Sequence, residues 1–171
     1  AIADLALATG INRFYDYIYS FGFGTETNVG IPSEDTGEVI HRKYIRESDL
    51  SRIAFGENIT TTGIQMANAF CAVINGGTLM QPYVVDSITA TDGTIIQKNE
   101  PTILRRVISQ SASATMRTLL QSVATKGNGN NAQVLNYTVG GITGVSRKFE
   151  EDGVTPSRMR MVASYIGYLS S

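Results

Sequence analysis

The sequence predicts an α+β fold built on an antiparallel sheet. Three observations carry this. Helical patterns fill the first part of the chain and strand patterns the last, with a hairpin and a helix between them. Thr62 and Gln65 have the spacing of a capping box ahead of a long apolar run, which marks a core helix. Val139-Gly140-Gly141-Ile142-Thr143-Gly144-Val145-Ser146-Arg147-Lys148 reads as a strand with small residues through its middle and a basic end. Glycines inside a strand weaken it and imply that a ligand or another backbone comes close.

The elements follow in order. Residues 1–9 read as the tail of a helix that Gly10 stops. Asn12 can cap a second helix, whose stripe is Phe14, Tyr17, Ile18 and Phe21, with Gly22 at its end. Residues 23–47 read as a long, partly extended connection. Ser48 can cap a short helix through Ala54, broken by Phe55-Gly56-Glu57-Asn58. The helix after Thr62 runs through Ile74 to Asn75-Gly76-Gly77. It is apolar nearly all round, which predicts burial. Tyr83 to Ala90 is rich in β-branched residues, and Asp92-Gly93 is a hairpin signal before Thr94-Ile95-Ile96. Pro101 ends that unit. Ser109 or Ser111 starts another helix, with Met116, Leu119, Leu120 and Val123 on one face and Gly127 at its end. After the polar loop at residues 128–131 come the glycine-rich strand, an acidic turn (Glu150, Glu151, Asp152, Gly153) and a last strand from Arg158 to Leu169.

Composition narrows the function classes. The 171 residues suffice for one domain with a real core, and 42% hydrophobic with 17% charged content excludes a disordered chain. A net charge of −1, without basic runs, gives no footprint for nucleic acid. One cysteine excludes an intrachain disulfide. No apolar run reaches the roughly 18 residues of a membrane span. Both ends fall inside regular patterns, so the expectation is a piece of a larger protein.

Several segments, in order, resemble one family. Phe55-Gly56-Glu57-Asn58 with Thr62-Gly63-Ile64-Gln65 is similar to its Phe-Gly-Gln-Gly and Thr-Pro-Leu-Gln run. Asn75-Gly76-Gly77 followed by Pro82-Tyr83 resembles its helix end, and Gly127-Asn128-Gly129 its Gly-Thr-Gly loop. Gly140 to Lys148 occupies the place of Ala-Gly-Lys-Thr-Gly-Thr-Ala-Gln-Lys. The family is the transpeptidase domain of class B penicillin-binding proteins, of the cell-division and sporulation type. The resemblance covers nearly the whole chain. It implies the penicillin-binding-protein and serine β-lactamase-like fold, truncated at both ends, with residues 1–171 as part of one domain. Within it residues 1–77 are mainly helical, 78–108 a hairpin region, 109–127 a helix and 137–171 sheet strands. It also implies a serine acyl transferase that cross-links peptidoglycan. Its partners would be stem peptides and β-lactams, with other cell-wall or division proteins possible, and it would need no cofactor. Its place would be the extracytoplasmic face of a bacterial membrane, with the anchor outside this chain.

The departures are as informative. No serine here is followed three positions on by Lys, or two positions on by Asn, so this chain supplies no catalytic residue of the family's Ser-x-x-Lys or Ser-x-Asn type. In the family those motifs would lie upstream of Ala1. The Lys-Thr-Gly motif survives only in part. Thr143 and Gly144 match, Ile142 replaces the Lys, and Val145 replaces the following hydroxyl residue, leaving its backbone N–H. These four residues are the candidate substrate-binding positions. Lys148 shares a strand face with Ile142 but lies roughly 20 Å further along. Two readings of the parent follow: an active enzyme with a cation standing in, or a catalytically degenerate assembly or partner-binding module. The reach of Lys148 favours the second. A β-lactamase-like hydrolase is disfavoured by the Phe-Gly and Asn-Gly-Gly runs.

Other residues have plainer readings. His41 is the sole histidine and cannot build a metal site alone. Cys71, on an apolar helix, reads as an inert core thiol. Glu150, Glu151 and Asp152 read as a soluble hairpin tip. Tyr15, Tyr17 and Tyr19 read as packing residues. A truncated sheet leaves strand edges open, so self-association is expected.

Overall fold

In a computed structural model, which describes residues 1–149 and 156–170, the chain divides into two units, residues 1–110 and 111–171. The acidic turn read at Glu150, Glu151, Asp152 and Gly153 lies outside the described residues.

In the first unit, helix α1 (Ile2–Thr9) passes directly into α2 (Ile11–Ser20). Gly10, at φ 78°, closes the first helix, its N–H reaching the carbonyls of Ala6 and Leu7, and also caps the second. Asn12 is therefore inside α2 and is not its cap. The buried stripe also differs from the sequence reading. Tyr15 and Ile18 are buried, whereas Tyr17 is exposed, because α2 turns toward a cluster of Ala6, Ile45, Leu50 and Ile53. The tyrosines do pack as expected in one respect: the rings of Tyr15 and Tyr19 meet edge to face at 5.8 Å. The Tyr15 hydroxyl finds no hydrogen-bond partner among the described residues. Burial, then Tyr19 and Asp49, push its pKa up to about 12.

The long connection holds strand β1 (Glu38–Val39) and a 3-10 turn over Arg42–Tyr44. His41 caps that turn, its Nδ1 accepting the Lys43 N–H at 3.3 Å, which is a structural use of the side chain. Helix α3 (Glu47–Ile53) starts from Arg46 and not Ser48. The reason is Asp49, in the first turn, whose carboxylate accepts the Arg46 N–H at 3.0 Å and performs the cap from inside the helix. Strand β2 (Ile59–Thr60) pairs antiparallel with β1.

The connection is held by side chains of other elements. Helix α4 (Gly63–Ile74) has the expected capping box: Thr62 Oγ1 accepts the Gln65 N–H at 3.2 Å and Gln65 Oε1 accepts the Thr62 N–H at 3.0 Å. Gln65 is 1% exposed, and its Nε2 donates to the carbonyls of Thr25 and Thr36, each at 2.8 Å. Gln81 does the same for Thr27 and Asn28. Glu34 accepts the N–H groups of Thr27 and Asn28 and the Thr27 hydroxyl. Partial burial pushes the Glu34 carboxyl up, but the hydrogen bonds from Thr27, Val29 and Asn28 outweigh it and hold the pKa below its usual 4.5. A depressed carboxylate stabilises the fold above its unfolded pKa and loses that contribution as pH falls through the folded one. The chain should therefore lose stability on acidification below about 4.5, and Glu34→Gln should flatten that part of the curve in urea titrations at stepped pH.

Helix α4 is not buried all round. Gln65, Ala69 and Ala72 are buried, while Met66 is 43% exposed and Cys71 is exposed. The small residues let α4 pack by one stripe, so the rest of its apolar surface stays open. Strand β3 (Thr78–Met80) pairs antiparallel with β6 (Ile103–Arg106), and β4 (Ser87–Thr89) with β5 (Ile95–Lys98) in the expected hairpin. Its turn has Gly93 at φ 87°, and the Asp92 carboxylate accepts the Thr94 N–H at 2.9 Å. The regular part of the Tyr83–Ala90 segment is confined to β4.

In the second unit, helix α5 (Gln110–Lys126) begins directly after Ser109 and ends at Gly127, whose N–H reaches the Val123 carbonyl. Its buried stripe is Ser113, Leu120 and Ala124, whereas Met116 and Leu119 are exposed. Small residues again set the packed face where aliphatic bulk had predicted another. A 3-10 turn over Asn130–Ala132 leads to strands β7 (Thr138–Phe149) and β8 (Pro156–Ser170), which form a long antiparallel ribbon.

Candidate functional site

The glycine-rich strand is β7, and its register on β8 is regular from Thr138↔Ser170 to Arg147↔Met161. In an antiparallel ladder, paired residues share a face and successive residues alternate. One face therefore carries Gly140, Ile142, Gly144 and Ser146 beside Tyr168, Ile166, Ser164 and Val162. The other carries Gly141, Thr143, Val145 and Arg147 beside Gly167, Tyr165, Ala163 and Met161.

This placement explains the glycines. A Cβ added at Gly140 would stand 2.5 Å from Cε1 of Tyr168. One added at Gly141 would meet the Tyr165 hydroxyl, and one at Gly167 would stand 2.7 Å from Tyr165 Cε1. Separations this short leave no room for a methyl group unless the tyrosine rings move. What comes close to Gly140 and Gly141 is thus a pair of tyrosine rings from the neighbouring strand, one on each face, and at Gly141 also the Ile166 backbone carbonyl, 2.7 Å from the added Cβ. The close backbone is as the sequence predicts; the tyrosine rings are additional. Gly144 differs: its added Cβ would meet only the Ser164 hydroxyl at 2.8 Å, and that hydroxyl donates to the Gly144 carbonyl at 3.3 Å.

Beyond the tyrosines, the segment 142–145 is open. Ile142 is 48% exposed and Val145 is 63% exposed, with Thr143 and Gly144 exposed between them. Ile142 sits directly opposite Ile166, so an apolar pair occupies this position of the ladder. The nearest cations along the strand do not reach it. Arg147 lies on the other face, and the ladder is regular from Ile142 to Arg147, with Lys148 falling at the register shift between Arg147 and Phe149. The backbone of residues 143–145 is extended, with one strand neighbour among the described residues.

The remaining polar clusters are accounted for by structure. A cleft of about 310 Å³ in the first unit is lined by Thr25, Thr27, Gln65, Gln81 and Arg105 among others. Its long side chains already serve loop and helix-end carbonyls: Arg105 donates to those of Ser20 and Tyr19. Cys71 is an exposed thiol on α4, which corrects its reading as a core residue. No cluster of His, Cys, Asp and Glu suited to a metal occurs among the described residues. None of their helices is long and apolar enough to cross a membrane. Tyr165 and Tyr168 are the residues that sequence reasoning missed. Their signal was the Tyr165-Ile166-Gly167-Tyr168 run, legible only once its register against Gly140-Gly141 was known.

The mixed helical and antiparallel scaffold is the one that the sequence resemblance implies, and comparison with known proteins agrees. The model of the penicillin-binding protein transpeptidase domain matches residues 1–171. The stage V sporulation protein D of Bacillus subtilis is 32% identical over 96% of this chain and 25% of its own length. The penicillin-binding protein PbpB of Mycolicibacterium smegmatis is 32% identical over 84% of this chain and 23% of its own length. Among solved structures, penicillin-binding protein 3 of Mycobacterium tuberculosis complexed with ampicillin superposes with a TM-score of 0.90 at 25% identity, over 98% of this chain and 38% of that one. Its aztreonam complex gives 0.91, over 99% and 39%. The chain therefore belongs to the penicillin-binding protein transpeptidase family. It spans about a quarter of the length of the curated relatives it matches.

Proposed function

We propose that residues 1–171 form part of the transpeptidase domain of a membrane-anchored cell-wall protein, on the extracytoplasmic side. Its β7 strand is the substrate-side wall of a penicillin-binding site that has lost its charge. Thr143, Gly144 and the Val145 backbone offer an extended surface to a stem peptide or a β-lactam. Ile142, in the position of the motif Lys, cannot hold a carboxylate or support proton transfer among site hydroxyls. The chain alone does not acylate, since it carries no serine with a Lys three positions on. The observation that carries this reading is the half-exposed Ile142, opposite the partly buried Ile166, on a ladder that stays regular as far as Arg147. It favours a degenerate parent, kept for assembly with cell-wall or division proteins, over an active one that cross-links peptidoglycan.

The test is labelling of the full-length parent with a fluorescent penicillin. No covalent label is expected. Label that disappears when the serine upstream of this chain is mutated would overturn the degenerate reading and leave an active transpeptidase.

Self-association belongs to the same proposal. Strand β8 carries no charged residue from Met161 to Ser170, and it has one strand partner among the described residues. An uncharged edge without Pro is a template for pairing. Sedimentation velocity on the chain should show dimers or larger species as concentration rises. A single monomer peak across a hundredfold range, on the order of micromolar to tenth-millimolar, would sink the idea.

A further inference from the structure

We propose that Tyr165 and Tyr168 are positioning residues that lock the register of β7, and so fix which residue stands at the motif position. The two rings lie on opposite faces of the ribbon and cover consecutive glycines of β7. Tyr168 stands directly opposite Gly140 with its ring over it. Tyr165 stands opposite Thr143 and leans diagonally across Gly141 and Gly167. The Tyr168 hydroxyl donates to the Arg117 carbonyl of α5 at 3.3 Å, which anchors the ring.

Register in a ribbon is weakly specified where glycines leave one strand smooth. A slip that preserves the faces must move β7 by two residues, about 7 Å. In one direction the slip puts Thr138 under Tyr168 and Val139 under Tyr165. In the other it puts Ile142 under Tyr168 and Thr143 under Tyr165. Both directions drive β-branched side chains into space that the rings fill, since even a methyl at Gly140 would be 2.5 Å from Tyr168. Only the observed register gives both rings a glycine. The lock therefore denies the strand the slip that would present a residue other than Ile142 at the motif position. Its functional meaning rests on the reading of residues 142–145 as the ligand-facing segment. Its test does not, because it uses no ligand.

The experiment is cross-strand disulfide trapping in the full-length parent, with Cys71 replaced by Ser and no other thiol. Three cysteine pairs report three registers. Val145→Cys with Ala163→Cys reads the observed one. Val145→Cys with Met161→Cys, and Arg147→Cys with Ala163→Cys, read the two slips. With both tyrosines present, oxidation should trap the 145–163 pair alone. With Tyr165→Ala and Tyr168→Ala, trapping should shift toward a slipped pair, and Tyr168→Phe, which keeps the ring, should restore the 145–163 product when Tyr165 is also restored. A merely structural role would lower all trapping without moving it between pairs. Exclusive 145–163 trapping in the double-alanine variant would overturn the proposal. Should that variant not fold, Gly140→Ala gives the converse reading, because the close atoms around its added Cβ all belong to the Tyr168 ring. It should lose the 145–163 product and regain it when Tyr168→Ala is added. Undiminished trapping in Gly140→Ala with Tyr168 intact would also overturn the proposal.

Discussion

Replacing Ile142 by Lys together with Val145 by Thr in the full-length parent, itself expected to show no label, should bring acylation by penicillin into the measurable range, a gain on the order of 10²- to 10³-fold over any residual rate. That is the size expected for one preorganised electrostatic donor, about 2.7 to 4 kcal/mol of transition-state stabilisation. The geometry allows the gain. Position 142 is half exposed on a strand of regular register, so a Lys there can extend from the strand without displacing a packed neighbour. Position 145 is more exposed still, and Thr keeps the β-branching that suits a strand. The Lys change should carry most of the effect, because it restores a full charge where Thr restores one hydroxyl. The measurement is the second-order labelling constant of each single and of the double variant. A double variant no faster than the parent would mean that charge at this position is not what the site lacks.

The second large effect is on stability. Gly77→Ala should destabilise the chain by about 3 kcal/mol or more, while Gly76→Ala next to it should cost about 1 to 2. Both glycines have positive φ, 96° and 94°, so each substitution carries backbone strain. They differ in what a Cβ would touch. At Gly76 the nearest atom is Cγ of Gln110 at 3.8 Å, an ordinary contact. At Gly77 it would collide with the Ile108 carbonyl oxygen and stand 3.0 Å from Ile108 Cγ1. That segment cannot yield easily. The Gly77 carbonyl accepts the Val107 N–H at 2.7 Å, and its own N–H closes the end of α4 on the Ala72 carbonyl at 3.0 Å. Urea unfolding of the two variants side by side measures the difference. Equal costs would show that the strain of positive φ dominates and the Ile108 contact does not.

The parts of the fold legible in the sequence are those made by neighbours in the chain. Thr62 and Gln65 cap α4 because capping needs a spacing of three residues and nothing else. Asp92-Gly93 makes its hairpin for the same local reason. Asn75-Gly76-Gly77 ends α4, with the Asn75 side chain bridging the Thr78 N–H and carbonyl at 2.9 and 2.7 Å. What failed was non-local or cooperative. The pairing of β3 with β6 joins segments on either side of a hairpin, and no short pattern announces it. Bulky apolar residues predict the packed faces of α2 and α5 only in part: Ile18 and Leu120 are buried as expected, but Tyr15, Ser113 and Ala124 complete those faces. The candidate strand was found from its own residues and its resemblance to Lys-Thr-Gly. The reason for Gly140 and Gly141 lay in Tyr168 and Tyr165, on a strand whose register only the structure supplies.

The proposal that position 142 has lost a charge is tested most directly by comparing a β-lactam that bears a free carboxylate with its methyl ester on the full-length parent. A site that keeps the motif cation prefers the free acid. A site lined by Ile142 and Val145 has nothing to reward the carboxylate. Calorimetric titration of both compounds should show no preference beyond about twofold for the parent, and a preference for the free acid once Ile142 is changed to Lys. A parent with Ile142 intact that favours the free acid by about tenfold or more, worth roughly 1.4 kcal/mol, would place a cation at the site and contradict the account.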